Sequence, residues 1–309
     1  MERQVKTTGP FGIGSMIHVV HMTDDAAELT AWYEDVFDAV TYMGMDELNY
    51  LPPEKRWATL VMISDYCIEV MAPELPADSA TPVGRFYNRF GRHFHSTGYR
   101  VEDLEGLFHH LDDNEVVIGK PGGGPVDDPS TVGYFYPSPR QTHGLMVECC
   151  RSEMRGDLRL RPEWSSLRKI WARHPLGIER PSHITVGVEG LADARKVYER
   201  LWMAEWLYEG RNEALGSHSV YFQLGDSLIE LAEPEDSGTH LAEHVEQFHN
   251  MIYAMTWKVT DLDSVERHLT SKGIGSSRPA PTTVLANPED AFNAVHLFSS
   301  AAVPNDPWA

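Results

Sequence analysis

Basic residues, cysteines and long apolar runs are all scarce in this chain, and each scarcity excludes a class of protein. The 309 residues include 26 lysines and arginines against 46 aspartates and glutamates, a formal charge of −20, which disfavours contact with nucleic acid or an anionic membrane. No apolar run reaches the roughly 18 residues that a membrane helix needs, and the N-terminus lacks the apolar core of a signal peptide. We therefore expect a cytoplasmic protein with no nucleic-acid or membrane partner.

The chain has three cysteines, Cys67, Cys149 and Cys150, which are too few for a disulfide framework in a chain of this length. Cys149 and Cys150 are neighbours on a predicted strand, where adjacent side chains point to opposite faces. Buried thiols in a reducing compartment are the interpretation that we prefer over a catalytic cysteine.

An internal repeat is the strongest feature that is present. The segment ISDYCIEVMAPE at 63–74 matches LGDSLIELAEPE at 224–235 without gaps, so that Glu69 pairs with Glu230. Each copy is typical of two apolar strands joined by a two-residue turn. A strand that carries a histidine and then an amphipathic helix precede each hairpin.

A second kind of copy follows each hairpin. The segments HSTGYRVEDLEGLFHHL and YAMTWKVTDLDSVERHL align residue for residue, which places His95 opposite Tyr253. Asp103 and Asp261 stand where each predicted helix begins, and aspartate favours that position because its side chain accepts from free backbone N–H groups.

The copies predict an α+β chain of four βαβββ units that begin near residues 15, 93, 181 and 251. The units form two tandem domains, at 15–150 and 181–300, with a linker at 151–180. Trp164 and Trp171 occur at helical spacing in the linker, and we expect it to pack across the two halves.

The duplicated unit resembles the fold of the vicinal oxygen chelate (VOC) superfamily of glyoxalases, bleomycin resistance proteins, epimerases and extradiol dioxygenases. The resemblance covers about residues 15–300. It depends on a His-x6-Asp pattern at the first strand, His18 to Asp25, and on an Ile-Glu-hydrophobic pattern that ends a hairpin, Ile68 to Val70. It implies that two paired units form one cupped sheet, with metal ligands on the first and last strands of each unit.

By this resemblance, the first domain supplies His18, Glu69, His95 and Glu148 as ligands of one divalent metal ion. Successive ligands lie 51, 26 and 53 residues apart along the chain. Two imidazoles and two carboxylates suit Zn2+, Mn2+, Fe2+, Co2+ or Ni2+ and leave positions free for a small-molecule substrate that chelates through two oxygens.

The third ligand is ambiguous in the sequence. His95 is one residue farther from Asp103 than the family's usual interval, which puts Ser96 at the ligand position unless a β-bulge turns His95 back. Tyr253 shows the same longer interval in the second half, so we retain His95 and keep His93 as the fallback.

The second domain is predicted to be a degenerate copy. Tyr253 replaces the third ligand there, and His296 on the closing strand is out of register. One alternative stays open, in which unit two pairs with unit three and the ligands of unit two join His183 and Glu230.

The resemblance implies a lyase or isomerase of the glyoxalase or epimerase sort, in which a metal-bound substrate loses a proton to Glu148 or Glu69. For Trp57, packing in the core is the alternative to a place in the cavity wall. Four residues are candidates for contact with the substrate: Tyr134, Tyr136, Arg140 and Trp57.

Two other functions remain as alternatives. An extradiol ring-cleaving dioxygenase would use two histidines and a glutamate that are normally in the C-terminal half, where Tyr253 interrupts the set. A binding protein without catalysis would keep the cavity and lack the metal. Two paired modules in one chain remove the need to dimerise to complete a site, and formation of a homodimer stays open.

Overall fold

The computed structural model describes residues 6–44, 48–154 and 156–309. It has an α+β fold with two curled sheets, one from each half of the chain, and this confirms the predicted fold class. None of the helices in the described ranges has the length and apolar character needed to cross a membrane.

The first half forms a nine-stranded sheet in the order β2-β4-β5-β1-β6-β9-β8-β7, with β3 paired to β4, where the labels follow chain order. The elements are β1 (Ile13–Met22), α1 (Ala26–Phe37), β2 (Val40–Met43), β3 (Asn49–Leu51), β4 (Arg56–Ile63), β5 (Tyr66–Pro73), α2 (Pro82–Phe90), β6 (His93–Val101), α3 (Leu104–Asp113), β7 (Ile118–Gly119), β8 (Tyr134–Pro137) and β9 (Val147–Cys150).

The second half repeats this plan in an eight-stranded sheet, in the order β11-β12-β13-β10-β14-β17-β16-β15. Two short helices, α4 (Trp164–Leu167) and α5 (Lys169–Arg173), lie between the halves in the chain. The remaining elements are β10 (Ile178–Gly187), α6 (Leu191–Arg200), β11 (Glu205–Asn212), β12 (Ser217–Leu224), β13 (Ser227–Pro234), α7 (His240–Phe248), β14 (Met251–Val259), α8 (Leu262–Ser271), β15 (Ser276–Ala280), β16 (Thr283–Ala286) and β17 (Val295–Ser299).

The four units pair in chain order. β6 lies between β1 and β9, and β14 lies between β10 and β17, so each sheet is built from two consecutive units. The alternative in which unit two pairs with unit three is therefore wrong.

Local sequence signals account for the helices and turns. The Asp25 side chain accepts from the backbone N–H of Glu28 and begins α1, and Asp103 and Asp261 begin α3 and α8 in the same way. The predicted amphipathic face of α1 is buried against the sheet, with Tyr33 at 0% exposure. This packing places α1 on one side of the first sheet and leaves the other side for a cup.

The two halves share one apolar core. Among its largest fully buried side chains are Trp171 of the linker, Trp202 and Trp257. The linker residue Arg159, also buried, donates to the backbone oxygens of Met16 and Ile17 on β1. The linker thus packs against both halves.

The turn of the second hairpin docks directly on β1. Asp226 accepts from the backbone N–H of Met16 at 2.7 Å and donates from its own N–H to Gly14 at 3.1 Å. Gly225 has φ +56°, and a Cβ there would lie 1.9 Å from the oxygen of Gly14, so only glycine permits this approach.

Candidate functional site

The strands that carry the predicted ligands are neighbours in the first sheet. β5, β1, β6 and β9 follow one another in that order. His18 pairs with Gly98, and Gly98 pairs with Glu148, while Glu69 pairs with Val20, two residues after His18. Residues two apart on a strand share a face, so His18, Glu69 and Glu148 project to the same side, which we call the first cup.

His18 is the most unusual residue of the first cup. It is 1% exposed, and neither ring nitrogen has a hydrogen-bond partner among the residues that the structure describes. Its Nε2 atom lies 3.5 Å from Oε2 of Glu69. A Cβ on Gly98 would lie 2.9 Å from the His18 ring, so the glycine makes room for the imidazole. Buried polar groups are nearly always paired, and the unpaired ring of His18 therefore points to a missing partner.

Glu69 is held as a carboxylate by an arginine. Nη1 of Arg56 donates to Oε1 of Glu69 at 2.6 Å, and Nε of Arg56 donates to Glu54 at 2.6 Å. Burial acts to raise the pKa of Glu69, but the charges of Arg56 and then His18 outweigh it and lower the pKa below its ordinary value. The carboxylate is charged, as a metal ligand must be.

His95 sits at a shift in the pairing of β6 with β1. Ser96 pairs with Val20, and the register then slips so that His95 has no partner residue on β1. An irregularity of this kind is the condition under which the sequence analysis kept His95 in place of Ser96. Nδ1 of His95 lies 2.8 Å from Oγ of Ser96. Burial lowers the pKa of His95 to about 3, while the charge of Arg56 lowers it and that of Glu69 raises it.

His93 and His21 belong instead to the interface between the halves. The ring of His93 packs 5.2 Å from that of His244. His21 contacts the Tyr33 hydroxyl at 2.8 Å and the backbone oxygen of Phe292 at 3.2 Å.

Glu148 is engaged by two neighbours. The Tyr136 hydroxyl donates to Oε2 at 2.5 Å, and the Cys150 thiol donates to Oε1 at 3.1 Å. Burial and the carboxylate of Glu148 raise the pKa of Tyr136 well above its usual range. The ring of Tyr134 packs edge-on against Tyr136 at 5.8 Å. Two of the four predicted substrate contacts therefore lie beside Glu148.

The other two predicted substrate contacts are not brought to the first cup. Arg140 is exposed. Trp57 pairs with Ala72, which lies three residues after Glu69 on β5, so it projects from the opposite face of the sheet. It is 37% exposed and lies 4.6 Å from the ring of Tyr50, so it does not pack in the core either.

Helix α2 covers one end of the first cup. Val83 packs with Val20, Met22 and Met71 in a small apolar cluster. Phe86, from the same helix, presents its ring edge-on to His95 at 4.4 Å. This end of the site is therefore shielded from water.

The residue types in the first cup are suitable metal ligands, but their side chains are not arranged around a common point. The unpaired ring of His18 and the charged Glu69 fit an ion. Within residues 6–44, 48–154 and 156–309, however, no three His, Cys, Asp or Glu side chains are grouped so that they could hold one. Arg56 occupies one oxygen of Glu69, and both oxygens of Glu148 have protein partners, so ion binding requires these side chains to move.

The equivalent cup of the second sheet is organised differently. Glu230, which is 0% exposed, accepts from four side chains: Thr185 Oγ1 at 2.6 Å, Asn212 Nδ2 at 2.7 Å, Tyr221 Oη at 2.6 Å and His183 Nε2 at 3.2 Å. Burial acts to raise its pKa, but the hydrogen bonds, first that from His183, lower the pKa to about 2. The second carboxylate is saturated by its donors.

The last two ligand positions of the second cup carry other residues. Tyr253 stands at the same register shift as His95. Leu297 pairs with Thr256, in the row of Glu148 and Gly98. His296 is one position out of phase and accepts from the indole of Trp257 at 3.2 Å. The prediction that His296 is out of register is confirmed.

Sequence analysis did not single out Arg56 or Cys150 as members of the first cup. The one available signal for Arg56 was a charged residue at the start of an otherwise apolar strand, RWATLVMI. Cys150 was correctly expected to be buried, and its position two residues after Glu148 places it on the same face.

Comparison with known proteins supports the fold. A family model described as the Glyoxalase/Bleomycin resistance protein/Dioxygenase superfamily matches residues 15–149. A triple mutant of 4-hydroxymandelate synthase from Streptomyces coelicolor has 12% sequence identity and a TM-score of 0.63, with 95% of this chain and 95% of that chain covered. At that identity the likeness shows that the two proteins share a fold.

Two epimerase structures match one half of this chain. Methylmalonyl-CoA epimerase from Mycobacterium tuberculosis is 20% identical, with a TM-score of 0.37, and covers 45% of this chain and 99% of its own. A Streptomyces coelicolor methylmalonyl-CoA epimerase in complex with 2-nitronate-propionyl-CoA is 16% identical, with a TM-score of 0.38, and covers 42% and 99%. No protein with a curated description matches the chain.

Proposed function

Because residues 15–149 of this chain belong to the Glyoxalase/Bleomycin resistance protein/Dioxygenase superfamily, we propose that the first cup binds a divalent metal ion and catalyses proton transfer on a small oxygen-chelating substrate. The observation that carries the proposal is the ring of His18, which is buried without a hydrogen-bond partner 3.5 Å from a charged glutamate. A glycine, Gly98, keeps the space around this ring open.

His18, Glu69, His95 and Glu148 would hold the ion. They offer two nitrogen and two carboxylate donors, a set that suits Zn2+, Mn2+, Fe2+, Co2+ or Ni2+. A bound ion would supply Lewis-acid stabilisation of the negative charge that develops on a substrate oxygen.

The two glutamates have surroundings that suit different roles. Glu69 is kept charged by Arg56, which favours a ligand role and disfavours proton uptake. In the described ranges, Glu148 has a thiol and a phenol as partners and no cation in hydrogen-bond contact, so we assign it the role of general base. The Tyr136 hydroxyl keeps its proton, since its pKa is raised, and it can donate to a substrate oxygen once Glu148 turns toward the substrate.

A dioxygenase with its metal in the second half is the weaker candidate. An extradiol dioxygenase would need a second histidine on β14 and a glutamate on β17 of the second half. The residues at these positions are Tyr253 and Leu297. A binding protein without a metal is the alternative that the Arg56–Glu69 pair favours, because the arginine already balances the carboxylate.

Metal analysis by mass spectrometry of protein purified without chelators tests the proposal. We expect about one equivalent of divalent metal per chain, lost in His18→Ala and retained in His183→Ala, the matched substitution in the second cup. A wild-type protein that takes up no added Zn2+ or Mn2+ would contradict the metal proposal and support the metal-free binding protein. Oxygen uptake with catechol by the Fe2+-loaded protein would favour the dioxygenase instead.

A further inference from the structure

The second cup contains a cavity of about 280 Å³ that is partly open to solvent. Its lining includes His183, Tyr221, Thr256 and Leu297 from four strands, and the segment 301–304 borders it. Sites for drug-sized ligands span roughly 300–1,000 Å³. This cavity is near the lower end of that range and therefore suits a small molecule.

The carboxylate beside this cavity is not available to a cation. Each oxygen of Glu230 already accepts two hydrogen bonds, from Asn212 and Tyr221 on Oε1 and from Thr185 and His183 on Oε2. A carboxylate oxygen accepts about two such bonds, so a metal ion would have to displace protein donors.

The other charges at the cavity are balanced or exposed. Arg211 is paired with Glu235 and Asp236 through separate guanidinium nitrogens, and Glu213 is exposed to solvent. An anion would meet the buried charge of Glu230, and a cation would meet Arg211. Neither sign of charge has a free partner in the lining.

One polar group of the lining has no partner among the residues that the structure describes. The Thr256 hydroxyl is buried, in a residue 3% exposed, and forms no hydrogen bond with them. Thr256 pairs with His183 on one side and Leu297 on the other, so it lies at the centre of the cup. A hydroxyl both donates and accepts, and Thr256 belongs to the lining of the cavity.

We propose that the second cup is a separate, metal-independent binding site for a small uncharged molecule with a hydroxyl or carbonyl group, which pairs with Thr256. The site does not depend on the metal chemistry proposed for the first cup. It gives the second half a role of its own in place of the lost ligand set.

Three fluorinated probes of nearly equal size test the charge preference. They are 2,2,2-trifluoroethanol, trifluoroacetate and 2,2,2-trifluoroethylammonium, and binding is read as broadening of the 19F resonance in the presence of EDTA. We expect the neutral alcohol to be broadened in a concentration-dependent manner and the two ions to be broadened far less. Equal broadening of all three, or broadening of an ion alone, would overturn the proposal.

Three variants locate the binding. Thr256→Val, which keeps the side-chain shape, should weaken alcohol binding by about fivefold to tenfold. Leu297→Trp should abolish it by filling the cavity. Thr97→Val changes a second buried, unpartnered threonine hydroxyl in the first half and should change nothing. Unchanged binding in both second-cup variants, with native circular dichroism, would show that the cavity holds only water.

Discussion

The two cups have the same arrangement of strands, but their central carboxylates differ in the partners that surround them. In the first, Glu69 faces a histidine ring with no partner and is balanced by one arginine. In the second, Glu230 is fully enclosed and saturated by four donors. Duplication copies strand register, while the residues around the copied positions decide whether a carboxylate stays available for a ligand.

The equivalent positions of the two cups differ in size and charge. Gly98 in the first cup corresponds to Thr256 in the second, and Glu148 corresponds to Leu297. The second cup thus has a larger side chain in place of a glycine and an apolar side chain in place of a carboxylate. A hydrogen-bonded cavity remains in its place.

Removal of each carboxylate should give the largest difference in the free energy of unfolding between the two cups. Glu230→Ala leaves four buried donors without an acceptor and should lower the free energy of unfolding by about 3–5 kcal/mol. Glu69→Ala leaves Arg56 with Glu54 and should cost only about 1 kcal/mol. Urea unfolding monitored by tryptophan fluorescence measures both. An equal or larger loss in Glu69→Ala would reverse the assignment of which cup is built for stability.

A fall in pH should reveal how much the ionised Glu230 contributes to stability. The pKa of Glu230 in the folded protein is lowered from 4.5 to about 2, so its contribution is present above the unfolded pKa and is lost as the pH falls toward the folded one. The shift corresponds to roughly 3 kcal/mol. Between about pH 5 and pH 2, wild type should lose this much more stability than Glu230→Gln. Parallel stability curves would show that Glu230 is not held ionised.

A smaller effect is expected from the arginine of the first cup. Arg56 competes with a metal ion for Glu69, so Arg56→Met should tighten Mn2+ or Zn2+ binding by about tenfold, or roughly 1.4 kcal/mol. Arg211→Met, which removes an arginine at the second cup, serves as the control and should leave the affinity unchanged. Isothermal titration measures both. Weaker metal binding in Arg56→Met would mean that the arginine supports the ion site.

The strand and helix plan could be predicted because it is repeated in the sequence. The match of the two hairpins fixed their turns, and the aligned units gave the places of β1, β6, β10 and β14. Even the shift at His95 was detectable, because Tyr253 has the same interval to its helix and the same shift in its sheet. Local spacing carries this information directly.

The partners of the side chains could not be predicted in the same way. Arg56 pairs with Pro73, yet its guanidinium reaches forward along β4 to Glu69, the partner of Leu60. Strand alternation predicts the face of the sheet from which a side chain projects, but it does not predict how far a long side chain bends. Trp57 was predicted as a candidate for contact with the substrate, although alternation alone already places it on the face opposite Glu69.

The four donors of Glu230 illustrate a further limit. Asn212, Tyr221 and Thr185 come from three different strands. Their convergence depends on the curl of the sheet and on the register of several pairings at once. A single sequence shows each residue as an ordinary polar position in a strand.

The docking of the second hairpin on β1 makes the first cup depend on the second half. Asp226 holds the backbone of Met16, two residues before His18, so the strand with the unpaired histidine is anchored by the other half of the molecule. A first half separated from the second would leave this buried backbone N–H without its acceptor. The first half is therefore not expected to keep the geometry around His18 when it is produced alone.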